Sequence, residues 1–144
     1  MAFLNSLDIG GSALMAQKTR MNIISQNIAN ADTTRTAEGG PYIRKVVTLR
    51  ENIASFQNVL SNESRRYSTS GVLVDSISDD TSALKSVYNP SHPDADENGY
   101  VMLPNVDTTQ EMVDMISATR SYEANVTAFN AIKLMASKAL EIGR

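Results

Sequence analysis

Apolar positions follow a helical period at both ends of the chain and lose it in between. From Leu4 to Asn30, the residues Leu7, Leu14, Met21 and Ile28 fall seven apart, with Leu4 and Ile24 beside the same stripe, as the contact face of a coiled-coil-like helix requires. A second, smaller face carries Ile9, Ala13, Ala16 and Ile23. Gly10 and Gly11 each cost roughly 1 kcal/mol relative to Ala inside a helix. The first turns are therefore expected to fray or bend, and the secure helix to begin near Ser12.

After Pro104 the stretch Asp107 to Glu111 supplies helix-start chemistry, with Glu111 three residues after Thr108 in a capping-box pattern that satisfies free amide hydrogens. From there to Ile142 neither Pro nor Gly interrupts the chain. Met112, Thr119, Val126 and Leu140 keep a seven-residue spacing, Met115, Tyr122, Phe129 and Ala136 occupy companion positions, and Lys133 is the one charged intruder. Another face presents Val113, Ile116, Ala124, Ala128, Ala131, Met135 and Ile142. At 1.5 Å per residue such a helix is about 50 Å long, more than a compact domain of this size needs. Two apolar faces on it imply more than one packing partner.

The middle of the chain reads differently. Tyr42 to Leu49 alternates loosely after the turn Gly39-Gly40-Pro41 and predicts a strand, as does Gly71 to Ile77. Ile53 to Leu60 fits a strand or a short helix, Ser61 to Gly71 a polar loop, and residues 78–100 a further loop. The fold class is mainly α: long N- and C-terminal helices form a coiled-coil-like pair, with a small irregular β-containing insert between them. The boundaries expected are 1–34 and 106–144 for the helical part and 35–105 for the insert.

The first helix closes on amides. Asn30 can adopt the left-handed conformation that stops a helix, followed by turn-forming Asp32 and Thr33. That leaves Asn27 unexplained, unless its donors and acceptor are offered to the backbone of a neighbouring helix.

Composition narrows the function. In 144 residues there are 13 basic and 16 acidic residues, a net charge of -3, and no basic block, which argues against nucleic acid and an anionic membrane surface. Aromatic content is 6% with no Trp, so large core anchors are few and the core is expected to be thin. Without cysteine there is no disulfide, thiolate metal site or cysteine nucleophile. The N-terminus lacks a basic n-region and an unbroken apolar h-region, so no cleaved secretory signal is expected. No apolar run reaches membrane-spanning length. Catalysis finds no support: His92 stands alone between Pro90 and Pro93, with no companion motif. Asp94 to Gly99 imitates the start of a calcium loop, but its twelfth position is Asn105 and prolines replace the flanking helices. It reads as an acidic turn leading into Tyr100 and Val101. No enzyme activity, cofactor or metal is expected.

Several motifs in order carry a family resemblance. "SQNIANADTT" resembles the N-terminal signature of bacterial flagellar rod and hook proteins, and "RSYEANVTAFNAIKLMASKALEIG" resembles their C-terminal helix. "GGPYIRK", "NPSHPDADENGYVMLPNVD" and "EMVDMISATRSYEANV" are similar to the short proximal-rod members of the flagellar basal-body rod proteins. Gly39 comes later than the usual signature has it, as in those members. The resemblance implies a non-enzymatic subunit that assembles helically in the periplasmic drive shaft, exported uncleaved through the flagellar type III apparatus. The implied neighbours are copies of itself, other rod proteins, the rod-to-MS-ring adaptor and the bushing around the rod. An assembly interface is expected at Leu7, Leu14, Met21, Ile24, Asn27, Ile28 and Asn30, and at Met112, Met115, Tyr122, Asn125, Val126, Ala128, Phe129, Met135 and Leu140. The competing reading is a type III secreted effector or translocator that uses similar helices without polymerising.

Overall fold

The computed structural model describes residues 2–37, 39–52 and 71–142. Two helices frame it: α1, Ala2–Ala29, and α2, Thr108–Ile142, with 28 and 35 residues. Four strands lie between them: β1 Lys45–Asn52, β2 Gly71–Asp79, β3 Lys85–Tyr88 and β4 Tyr100–Leu103. The β1–β2 and β3–β4 pairs form two separate two-stranded antiparallel sheets. The mainly α class with a small β insert is what the apolar patterning predicts. Residues 53–60 and most of the 61–71 loop lie outside the described residues.

The helices run antiparallel. Gly10 of α1 lies against Phe129 of α2, the Met21 sulfur sits 3.7 Å from the Thr119 hydroxyl, and Asn27 meets Glu111, so one set of numbers climbs as the other falls. The inward residues of α2 are Glu111, Met115, Ala118, Tyr122, Asn125, Phe129, Ile132 and Ala136, spaced alternately four and three, with Thr119 and Val126 alongside. The seam thus keeps the Met115 series but takes as its companions positions one residue before the Met112 series. Met112 and Leu140, in the same flanking series as Thr119 and Val126, are exposed near the two ends of the helix. Lys133, predicted as an intruder, is exposed beside that seam.

Helix α1 does not wait for Ser12. It runs unbroken through Gly10 and Gly11, because a β-carbon at Gly10 would stand 3.3 Å from the Phe129 ring and its absence lets the ring settle on the helix. Packing there offsets the intrinsic cost of glycine.

Most of the second face of α1 is covered inside the same chain, while Ile9 stays exposed. Ser12 donates to the Ile9 carbonyl (2.8 Å) and accepts from the backbone N–H of Val72 (3.1 Å), pinning the start of β2 to the helix. Gly71, buried, is pressed so closely that a β-carbon there would lie 2.5 Å from the Ser12 oxygen. β1 begins and ends three residues later than alternation suggests, β2 begins at Gly71 as expected and runs two residues further, and β3 replaces part of a predicted loop. Every residue of β3 is exposed, so it bears no hydrophobic alternation by which it could be read. One extra residue, Asp75, bulges from β2 where the register shifts between Thr48 and Leu49. The turn into β4 closes at Gly99, φ +80°, over which the Tyr88 ring lies, and Tyr88 meets Tyr100 edge-to-face at 5.3 Å.

The apolar core is thin, as aromatic content predicts: among the described residues Ala16, Ile23, Ile24, Val101, Val106 and Ala118 are its buried members. Because Gly71 seats the β1–β2 hairpin, Gly71→Ala is expected to destabilise the chain by about 1–3 kcal/mol. Pairing it with Ser12→Ala, which removes the obstructing oxygen, should recover part of that loss in urea denaturation.

Candidate functional site

Where the thin core meets the insert, the chain gathers a polar cluster. Asn27, in the last turns of α1, is 1% exposed, and Glu111, in the first turn of α2, is also 1% exposed. Asn27 Nδ2 donates to the Lys45 carbonyl (2.9 Å) and to Glu111 Oε2 (3.1 Å), while its Oδ1 accepts from the Tyr42 hydroxyl (2.9 Å) and the Lys45 N–H (3.0 Å). The side-chain amide therefore grips both backbone groups of Lys45, as a neighbouring strand would.

The other Glu111 oxygen receives Arg44. Nε and Nη2 of the guanidinium reach Oε1 at 2.8 and 2.7 Å, and Nη1 reaches Asp80 Oδ2 at 3.1 Å. The Arg44 N–H donates to Asn105 Oδ1 (2.8 Å), whose Nδ2 donates to the Asp80 carbonyl (3.1 Å) and the Ser82 hydroxyl (2.9 Å). Lys85 closes the rim by donating to the Val106 carbonyl at 2.7 Å. A carboxylate in the first helical turn also suits the positive end of the α2 dipole.

The electrostatics follow this geometry. Burial opposes the charge of Arg44, but hydrogen bonds and charges from Glu111 and then Asp80 outweigh it, so the guanidinium is held more firmly protonated than usual. The Asp80 carboxyl is held below its usual range, first by the Ser82 backbone N–H and then by the Ser82 hydroxyl, with Arg44 adding to the effect against a contribution from burial. Burial pushes the Tyr42 hydroxyl up, and the charges of Asp79 and Glu111 add to it. This chemistry is structural: every buried polar group named here is matched to a partner.

Three readings from sequence change. Asn27 meets the backbone of a strand and not of a helix. Asn30 is not left-handed, since no described residue other than glycine has positive φ; its Nδ2 donates to the Gln26 carbonyl (2.9 Å), and Thr33 donates to its Oδ1 (3.2 Å). Glu111 is likewise no capping-box partner: Asp107 Oδ1 accepts from the N–H groups of Thr109 and Gln110, which makes Asp107 the cap and frees Glu111 for the cluster. Arg44, Asp80 and Asn105 carry no sequence signal beyond being polar residues next to strand and helix ends. In the calcium-like stretch, Asp94 accepts from Thr34 (2.8 Å), faces Arg35 at 3.8 Å, and has its own N–H on His92 Nδ1 (3.1 Å). It stitches the insert to the end of α1.

The residues expected at an interface divide by exposure. Ile24 and Asn27 are buried; Leu7, Leu14, Met21, Ile28, Asn30, Met115, Tyr122, Asn125, Val126 and Phe129 are half-buried; Met112, Ala128, Met135 and Leu140 are exposed. The exposed four sit on α2 with Val113, Ile116, Ala124, Ala131 and Leu134, also exposed. Leu140 is 77% and Met135 63% exposed. Along this helix a second apolar face stays uncovered.

Both ends of the chain match known families: residues 7–35 match "Flagella basal body rod protein" and residues 97–142 match "Flagellar basal body rod FlgEFG protein C-terminal". Over its full length the chain is 48% identical to the flagellar basal-body rod protein FlgC of Bacillus subtilis (strain 168), covering all of both chains. It is 43% identical to FlgC of Salmonella typhimurium (strain LT2), again over all of both, and 42% identical to FlgC of Borreliella burgdorferi, covering 99% of this chain and 98% of the relative. The chain belongs to the flagellar basal-body rod protein FlgC family. Members of that family are structural proteins of the rod and not enzymes, and so is this chain. Among the described residues, no helix is long and apolar enough to cross a membrane.

Arg44→Met would leave Glu111 buried with no countercharge. The expected cost is about 3 kcal/mol, at the low end for such a change because Arg44 keeps part of its side chain in water, and Arg44→Met with Glu111→Met should recover much of it in urea denaturation. Acid should weaken the fold through Asp80: its folded-state value lies below the unfolded one, so its contribution is full above the ordinary aspartate range and lost as pH falls through the folded value. Thermal melts between neutral pH and pH ~3 are expected to fall less steeply in Asp80→Asn.

Proposed function

We propose that the chain is a helical building block of the proximal rod that transmits torque across the periplasm. In this reading residues 1–34 and 106–144 form an axial unit, a coiled-coil-like pair, while 35–105 is an outward insert fixed to it by the Asn27–Arg44–Glu111 cluster. The observation that supports it is the uncovered face of α2, where Val113, Ile116, Leu134 and Met135 lie open to solvent in a single chain. Isolated soluble chains rarely expose so long an apolar stripe without a partner for it.

The proposed contacts of that face are further copies and other rod proteins. The interface comprises Met112, Ala128, Met135 and Leu140 directly, with Leu7, Leu14, Met21, Ile24, Ile28, Met115, Tyr122, Asn125, Val126 and Phe129 shaping the helix pair that presents them. Asn27 and Asn30 act from within by holding the end of α1. The second face of α1 is committed to the β1–β2 hairpin, so contacts between subunits fall chiefly to α2. The rod-to-MS-ring adaptor is the proposed neighbour at the base, and the flagellar type III apparatus the proposed export route.

Met135→Asp and Ala128→Arg test the reading. Both sites are exposed, so the melting of the isolated chain should change by no more than about 0.5 kcal/mol. Basal bodies from cells carrying either variant should lack the rod, as should those from cells without the chain. Normal rods and motility in both variants would overturn the assignment of this face.

A further inference from the structure

The β1–β2 hairpin has two free edges of opposite character. The Asp80 N–H donates to the Arg44 carbonyl at 2.8 Å, and antiparallel pairing alternates, so Val46 and Thr48 turn their backbone groups toward β2 while Lys45 and Val47 turn theirs outward. At Lys45 the outward groups are taken by the Asn27 amide. At Val47, among the described residues, no hydrogen bond from outside the sheet meets them. An open groove of about 260 Å³ lies beside this edge, lined by the apolar Ile23, Ile24, Val46, Val47 and Leu49, with Arg44, Lys45 and the Arg20–Asp114 ion pair (3.5 Å) around it.

On β2 the same alternation turns Ile77 and Asp79 outward, and Ile77 is 48% exposed. Lys45 and Asp79 stand opposite each other in the register, yet no ion pair joins them within one chain. One edge therefore offers an unmatched cation beside an apolar groove, and the other an unmatched carboxylate beside an exposed isoleucine.

We propose that the β2 edge of one copy pairs with the β1 edge of a second copy, Ile77 meeting Val47 along the backbone and Asp79 meeting Lys45 through the side chains alone, since Asn27 holds the Lys45 backbone. The proposal rests on the reading of this chain as a self-assembling rod subunit, and names one of its contacts. Charge selects the pairing: β1 on β1 would oppose Lys45 and Arg50 to themselves, and β2 on β2 would oppose Asp75 and Asp79. The contact is short at both ends, closed by the Asn27 amide at Lys45 and by the bulge at Asp75. Joining two different edges is a head-to-tail contact, which generates an open helix unless the rotation closes.

Absence of cysteine makes the test direct, because each copy can carry one thiol. Val47→Cys and Ile77→Cys, co-expressed in flagellated cells and oxidised in isolated basal bodies, should form a mixed disulfide dimer, and either variant alone should form little. Lys45→Glu alone and Asp79→Lys alone should each lower incorporation into rods at least about tenfold, and the two variants co-expressed should restore it, although within each copy positions 45 and 79 then carry like charge. Rods that form normally without the mixed dimer, or with Val47→Cys dimers alone, would overturn the edge contact and leave the rod assignment standing. Rods that form without the chain would overturn the assignment itself.

Discussion

A carboxylate stripped of water at the start of a helix is the constraint around which this subunit is built. Glu111 is stable there because Arg44 neutralises one of its oxygens and Asn27 donates to the other. Those two partners come from the insert and from the opposite helix. The three segments are thus held by a single charge, and none can take its place while either of the others is absent. With few large apolar side chains available, the chain uses hydrogen-bonded polar groups where a larger core would use hydrophobic contact. The arrangement specifies geometry more than it adds stability, since buried ion pairs roughly break even against apolar replacements.

Around that point the two faces of α1 have separate duties. One takes the α2 seam, with the Phe129 ring on Gly10 and Met21 beside Thr119; the other takes the hairpin through Ser12 and Gly71. Helix α2, longer, matches α1 on one side only. What its far side exposes is small and flexible, Ala124, Ala128, Ala131 and Met135, a surface that admits a close backbone and adapts to non-identical neighbours.

Much of this could be read from residue order. Both helices, the Met115 series of the α2 seam and the thin core follow from spacing and composition, because a period of seven repeated over 28 and 35 residues leaves little room for another structure. The family followed from motifs at both ends. The errors are local and share a cause: a tertiary partner overrode a local preference. Gly10 and Gly11 predict frayed or bent first turns of α1, yet Gly10 receives a ring. Thr108 resembled a cap, but Asp107 had the better placed oxygen. β3 was invisible because all its residues face solvent. The polar cluster was foreshadowed only by Asn27, whose amide on an apolar face had no local use. Lys45, whose backbone it grips, lies 18 positions further on, a separation that no helical or strand period connects.

Antiparallel pairing gives the subunit a direction. The polar cluster lies at one end, where Asn27 meets Glu111, while toward the other end the described contact of the insert is Gly71 and Val72 on Ser12. A brick with a head unlike its tail can be laid only one way up in a regular column, so a shaft made from it has a distinguishable top and bottom.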